Sequence, residues 1–304
     1  MSVKVVIPGP LTTVQDAGRY GYMNSGIGTS GVMDEVSYKK ANYLVGNENG
    51  EAVLEVTLFG GTMEFTEDVV IAVTGATMDV KINEEPTEMY RAYQVKAGDI
   101  LSLGMVTAGC RTYVAFAGGI DVPVVLGSRS TNLKCKMGGY EGRALAAGDV
   151  FEIGKNGRSY EALKDRMAKP DVYTSSITVR VIEGPQEEYF TEVGKKTFYN
   201  ETYTISDQSD RMGYRMEGAS IESVNGTDII SDGIALGSIQ VPTNGKPIIL
   251  LADRQTTGGY AKIATVCSFD IPKLVQGKPG DQVRFQKISL DEAAKIWKTE
   301  SGER

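Results

Sequence analysis

VKVVIPGP, residues Val3–Pro10, is a short β-branched run closed by a Pro-Gly-Pro stop, and a relative of it, VRVIEGP, returns at Val179–Pro185. Valine and isoleucine at this density suit a pleated strand, and the glycine and proline that follow end it. What comes after each copy repeats as well. The first half carries AGRYGY at Ala17–Tyr22 and the second SDRMGY at Ser209–Tyr214, so Arg-x-Gly-Tyr occurs at Arg19 and at Arg211. Each half then runs through an apolar strand into a Gly-rich turn, TYVAFAGG (Thr112–Gly119) and IILLADRQTTGG (Ile248–Gly259). Each closes on a Gly-Asp strand, AGDVFEIG (Ala147–Gly154) and PGDQVRFQ (Pro279–Gln286). Such self-similarity predicts an internal duplication. The expected fold is mainly β with a few short helices, in two similar β-barrel units. Residues 1–170 form the N-terminal unit and 171–304 the C-terminal unit with a terminal helix, joined near the polar stretch KPDVYTSS (Lys169–Ser176).

The expected helices are DEVSYKKANYLVGN, capped by Asp34 and stopped at Gly46, then SYEALKDRMAK before Pro170, QEEYFTEV after Pro185, and SLDEAAKIWKT, where Ser289 and Glu292 form a capping-box pattern. The final SGER is expected to fray.

A chain of 304 residues with 41% hydrophobic content has enough apolar surface for a real core. Its net charge of -7 and pI near 5.0 exclude a general grip on nucleic acid. No apolar leader or spanning stretch is visible, so no membrane contact and a cytoplasmic location are expected. Cys110, Cys135 and Cys267 are an odd, widely spaced set without a CxxC pair, which suits reduced structural thiols and no metal site. The most informative datum is that the chain contains no histidine. Ser-His-Asp and Cys-His nucleophiles, HExxH zinc hydrolysis and imidazole proton shuttles are thereby removed. Asp, Glu, Lys, Tyr or water must supply acids and bases.

Two polar segments stand out. TTVQDAGRYGY places Gln15, Asp16, Arg19 and Tyr22 in a glycine-containing loop. Arginine there offers two parallel donors to a carboxylate, phosphate or ureido-like group, while aspartate accepts from amide N–H groups. The structural alternative is an Asp16–Arg19 salt bridge tying a turn. The second segment sets Asp253, Arg254, Gln255, Thr256, Thr257 and Tyr260 where an apolar strand ends and a Gly-Gly turn begins. Strand ends of this kind are where sites are built on rigid scaffolds. Ser231, Asp232 and Gln240 are expected to line the same cleft. Several motifs fail. NGKP (Asn244–Pro247) lacks the spacing of a P-loop, the Gly-Gly pairs do not form GxGxxG, and GTSG (Gly28–Gly31) is not GxSxG. Ser37 and Lys40 satisfy Ser-x-x-Lys but read as a solvated helix face.

TTVQDAGRYGY, SGVMDEVSYKKANYLVGN, LEVTLFGG, AFAGGIDVPVVLGSRST, GRALAAGD, SDRMGYRMEG, SDGIALGSIQVP and DRQTTGGYAKIATV together cover essentially residues 3 to 288. In these runs the chain resembles the biotin-dependent carboxyltransferase-like family that includes allophanate hydrolase subunit 2, KipA and the 5-oxoprolinase C subunit. The resemblance implies paired cyclophilin-like barrels. It also implies a function in ATP-dependent opening of 5-oxoproline to glutamate, with two partners, a KipI-like B subunit plus a separate A subunit. ATP with magnesium would sit in this chain or at an interface. The alternatives are carboxyl transfer from carboxybiotin to urea or a related amide, and a KipA-like regulator that binds a KipI-like kinase inhibitor. Neither an MKM biotinylation motif nor a biotin carboxylase region is present, so any biotin-bearing partner is expected as a separate chain. Within the oxoprolinase reading, Arg19, Arg211 or Arg254 would grip carboxylate or phosphate. Asp34 or Asp253 would position a proton or magnesium, Gln15 and Tyr260 would orient the substrate, and Tyr214 joins the binding set beside Arg211.

Overall fold

The computed structural model describes residues 1–48, 50–155 and 158–302. Glu303 and Arg304 of the terminal SGER lie outside them. The chain divides into two compact units, Met1–Tyr20 with Ser30–Tyr173, and Gly21–Thr29 with Thr174–Arg304. The division expected at residue 170 treats each unit as one continuous stretch. It misses Gly21–Thr29, where the Thr29 hydroxyl donates to the Ala252 carbonyl at 3.4 Å and lies 3.3 Å from the Arg254 guanidinium.

The first unit is a ten-stranded sheet built from β1 (Ser2–Ile7), β2 (Thr12–Gln15), β3 (Val53–Thr57), β4 (Phe59–Phe65), β5 (Val69–Ile82), β6 (Glu85–Thr87), β7 (Ala92–Val95), β8 (Ile100–Phe116), β9 (Ile120–Asp121) and β10 (Val150–Ile153). Its path runs β2-β3-β8-β4-β1-β10-β9, with β5 on β8 and the short β6 and β7 on β5. The 17-residue β8 is the spine, pairing with β3, β4 and β5. The β5–β8 ladder slips at Gly75, which has a φ of 93°, and a Cβ placed there would come within 2.4 Å of the Arg111 carbonyl, so no side chain fits. One face packs Val3, Val5, Leu54, Phe65, Phe116 and Phe151. The other is covered by α1 (Glu35–Leu44), which buries Tyr38, Ala41 and Leu44 against Val53, Ala72 and Tyr113.

In the second unit β11 (Ser176–Glu183), β12 (Tyr203–Ile205), β13 (Gly213–Glu217), β15 (Ser238–Gln240), β16 (Ile248–Leu250), β18 (Lys262–Val266) and β19 (Gln282–Lys287) close a barrel in the order β11-β18-β15-β16-β13-β12-β19. A separate two-stranded ribbon joins β14 (Asp228–Gly233) to β17 (Thr257–Tyr260). Alternation sets which side chains enter the barrel. Tyr214, Met216, Ile239, Ile249 and Ile263 point into the core, while Arg215, Glu217 and Ile248 do not. Phe198, from α2 (Glu192–Asn200), stacks on Phe285 with centroids 4.5 Å apart.

The mainly β, two-barrel architecture holds. The repeat departs from itself at its last strand: β10 runs antiparallel to β1, whereas β19 runs parallel to β11 over six residue pairs and closes the ring. Of the helices, α1 and the terminal α3 (Leu290–Gly302) form, the latter with the Ser289–Glu292 box in place and extending through Ser301 and Gly302 of the segment expected to fray. SYEALKDRMAK makes only a 3-10 turn at Tyr160–Ala162, with Leu163 its one fully buried side chain and Tyr160 and Ala168 packing partly against the same core. QEEYFTEV is broken by extended Phe190, and α2 starts afresh from the Thr191 cap. Among the described residues no helix is long and apolar enough to cross a membrane. Among the described residues, Cys110, Cys135 and Cys267 form no disulfide.

Candidate functional site

The first polar segment is consumed by its own fold. Asp16 accepts hydrogen bonds from the Ser128 and Ser130 hydroxyls at 2.6 and 2.5 Å, from the Arg129 amide at 2.5 Å and from the Gly18 amide at 2.9 Å. Arg19, with no exposed surface, donates to the Val125 carbonyl at 2.9 Å and the Ser130 carbonyl at 3.0 Å. These bonds fasten the loop to residues 125–130, a wider attachment than the single Asp16–Arg19 bridge expected. Gln15 is fully buried and donates to Thr13 and to the Thr131 carbonyl, both at 3.1 Å. Asp34 caps α1 through the Val36 and Ser37 amides and takes the Ser37 hydroxyl at 2.7 Å. A carboxylate so engaged at a helix N-terminus organises the helix and is not placed for proton transfer. Ser37 is buried rather than solvated, and Lys40 pairs with Asp171 at 2.6 Å.

In the second unit the charged pair is likewise internal. Arg211 makes a two-pronged contact to Asp253, at 2.9 and 3.3 Å, with both side chains at most 7% exposed. Arg254 spans the Ile234 and Leu251 carbonyls and Thr29. The Tyr214 hydroxyl, inside the barrel, donates to the Val275 and Gly277 carbonyls. Tyr22 holds a 3-10 turn through its carbonyl, and Thr256 and Thr257 take part in the turn and pairing that start β17.

Three expected residues, Gln240, Gln255 and Tyr260, do share a cavity of about 460 Å³ in this unit. Its floor follows from strand register. Arg215 on β13 pairs with Ile248 on β16, Ile248 with Gln240 on β15, and Gln240 with Lys262 on β18. Cross-strand partners point to one face, so these four side chains form a row across the outside of the barrel. Exposure falls along it, from exposed Arg215 through half-buried Ile248 to Gln240 at 5% and Lys262 at 2%. Among the described residues the Arg215 guanidinium meets no carboxylate, and the Gln240 amide oxygen is buried with no hydrogen-bond partner. Lys262 donates to Asp232 at 3.0 Å, and this bond holds the Asp232 carboxyl below the usual carboxylate range. The pair ties the ribbon to the barrel beside the cavity wall that carries Gln255 and Tyr260. At the rim Lys246 pairs with Glu217, while Asp210 and Asn244 cap local turns. Arg215 and Lys246 are not among the residues singled out from sequence. Period-two alternation through GYRME, with Arg215 between buried Tyr214 and Met216, is the signal that marks Arg215 as outward-facing.

The cavity thus offers a cation without a carboxylate partner at one end, the apolar Ile248 between, and an unpartnered amide acceptor at the other, among the described residues. Such a lining offers a donor for an anionic group and an acceptor for an N–H.

Residues 25–287 match the family model described as carboxyltransferase domain, subdomain A and B. The chain is 39% identical over 293 residues to the 5-oxoprolinase C subunit of Escherichia coli (strain K12), covering 96% of this chain and 93% of that protein. It is 38% identical over 288 residues to the protein of the same name from Haemophilus influenzae, covering 93% and 90%. The solved urea amidolyase of K. lactis superposes with a TM-score of 0.90 at 32% identity over 99% of this chain, which spans 19% of that much longer one. With most of its length matched by the family model and by full-length relatives, the chain belongs to the carboxyltransferase domain, subdomain A and B, family.

Proposed function

We propose that this chain is the C subunit of an ATP-dependent 5-oxoprolinase, converting 5-oxoproline to glutamate in the cytoplasm together with a KipI-like B subunit plus a separate A subunit. The observation that carries the reading is near end-to-end similarity to two proteins named as the C subunit of 5-oxoprolinase, matched with the cavity of the second unit. 5-Oxoproline is a five-membered lactam with one carboxylate. Its carboxylate suits Arg215, its ring methylenes suit Ile248, and its amide suits Gln240. Lactam resonance makes direct attack by water slow, and ATP would supply activation by transferring its terminal phosphoryl group to the lactam oxygen with release of ADP. The chain's own task is to hold that amide in one orientation, where positioning lowers the barrier.

The cavity does not have the donors of a triphosphate–magnesium site. Of its cations Lys246 is paired with Glu217, and the described residues hold no group of three or more Cys, Asp or Glu suited to a metal. We therefore assign ATP and magnesium to a partner chain. ATP-dependent glutamate release from 5-oxoproline by the assembly of all three chains tests the reading. Activity in the full assembly that is lost when this chain is left out supports it, and no activity in the full assembly contradicts it.

The similarity to urea amidolyase favours a second reading, carboxyl transfer from carboxybiotin to urea or a related amide, since a ureido ring also carries N–H and C=O on one edge. Consumption of protein-linked carboxybiotin dependent on this chain distinguishes it.

A further inference from the structure

Gly258 lies on the ribbon strand β17, opposite Asp232 of β14. Its φ is not in the left-handed region, so what a side chain there would change is local space and not backbone conformation. A Cβ at this position would lie 2.7 Å from the Ile234 Cδ1, 3.3 Å from the Gln240 Oε1 and 3.4 Å from the Gln255 Nε2. An acceptor and a donor, from two different glutamines, therefore lie close to the same side of Gly258. Both glutamines line the cavity, and the Gln240 oxygen is buried without a partner. An unpaired carboxamide oxygen in a residue 5% exposed is costly unless a ligand donor completes it.

A ring amide is locked cis, so its N–H and C=O leave from the same edge, side by side. An open-chain trans amide sends them in opposite directions. We propose that Gln240 and Gln255, with the gap at Gly258, form a reader for the cis-amide edge of a small ring: the ring N–H donates to Gln240 Oε1, and the ring carbonyl accepts from Gln255 Nε2. The carboxylate end falls to Arg215, two strands away along the row, a backbone separation of roughly 10 Å at ordinary strand spacing. Two long side chains reaching toward each other across that span can bracket a small ring within the cavity. The naming of the ring as 5-oxoproline rests on the function proposed above, whereas the cis-amide reading does not.

The test is direct titration of the full chain, by calorimetry, with 5-oxoproline, N-methyl-5-oxoproline, proline and 2-imidazolidinone. 5-Oxoproline is expected to bind at least tenfold more tightly than its N-methyl derivative, which lacks the N–H, and than proline, which lacks the ring carbonyl, because a site built to pair with both groups rejects an analogue missing either. Gln240→Leu is expected to erase the discrimination, and Gly258→Ala to weaken all ring amides by about tenfold or more while circular dichroism and melting stay as in the parent chain. Equal binding of 5-oxoproline and its N-methyl derivative overturns the reader, even if the assembly hydrolyses 5-oxoproline. Binding of 2-imidazolidinone but not 5-oxoproline, with sensitivity to Gln240→Leu, supports the reader and overturns the oxoprolinase reading instead. Binding of none of the four ring compounds by a folded chain overturns the reader.

Discussion

The two Arg-x-Gly-Tyr segments differ in what they leave over. Around Arg19 the charged groups of the loop are turned inward, with Asp16 alone taking four hydrogen bonds from residues 18, 128, 129 and 130. Around Arg211 the charges are also paired, with Asp253, yet the strand that follows presents Arg215 outward, and the partner segment presents Gln255 and Tyr260 to a cavity. The same motif therefore serves as a fastening in both units, and in the second the neighbouring segment also lines a cavity with Gln255 and Tyr260. Clustered polar residues in a glycine-rich turn are needed wherever backbone amides must be satisfied away from water, so local density is a poor guide to reactivity.

The largest effects should come from breaking the fastenings. Asp16→Ala strands two hydroxyls and two amides and is expected to destabilise the first unit by about 3–5 kcal/mol, read as a drop in urea midpoint. Asp253→Ala leaves Arg211 buried and uncompensated and should cost the second unit a similar ~3–5 kcal/mol. A smaller change sharpens the contrast. Gln240→Leu removes a buried acceptor that has no partner in the free chain, so stability should stay within about 1 kcal/mol of the parent or rise. The ribbon gives a pH readout. The Asp232 carboxyl is held low by Lys262, so its contribution is present above the ordinary carboxylate range and is lost as pH falls through the lowered value. Hydrogen exchange in β14 and β17 should accelerate in that acid window in the parent, and be already fast at neutral pH in Asp232→Asn. The smallest effect concerns thiols. Burial pushes the Cys267 thiol up to about 11, so alkylation at pH 8 should label exposed Cys135 and spare Cys267, as peptide mass mapping would show.

Much of the fold is legible in the amino-acid order. The doubled VKVVI and VRVIEG strands, the Asp34 cap of α1 and the Ser289–Glu292 box are local signals, and each element they mark is present. The sense of the last strand is not legible, since β10 and β19 share a Gly-Asp start but run in opposite directions against their partners. The site is half visible. Gln240, Gln255 and Tyr260 can be reached from the polar strand ends, but the row Arg215–Ile248–Gln240–Lys262 comes from four separate stretches and exists only once cross-strand register is set. Asp34 and Arg254, by contrast, are residue types that suggest chemistry, and their hydrogen bonds assign them to caps and carbonyl bridges.

The central claim, that substrate is read on the outer row of the second barrel while the Asp16 loop only holds the first unit together, is tested most directly in the reconstituted assembly. KM for 5-oxoproline is measured for Arg215→Ala and Asp16→Asn alongside their melting temperatures. Arg215→Ala is expected to raise KM at least tenfold with an unchanged melting temperature, and Asp16→Asn to lower the melting temperature with KM unchanged. A normal KM in Arg215→Ala, with KM raised in a fully folded Asp16→Asn, would contradict the account.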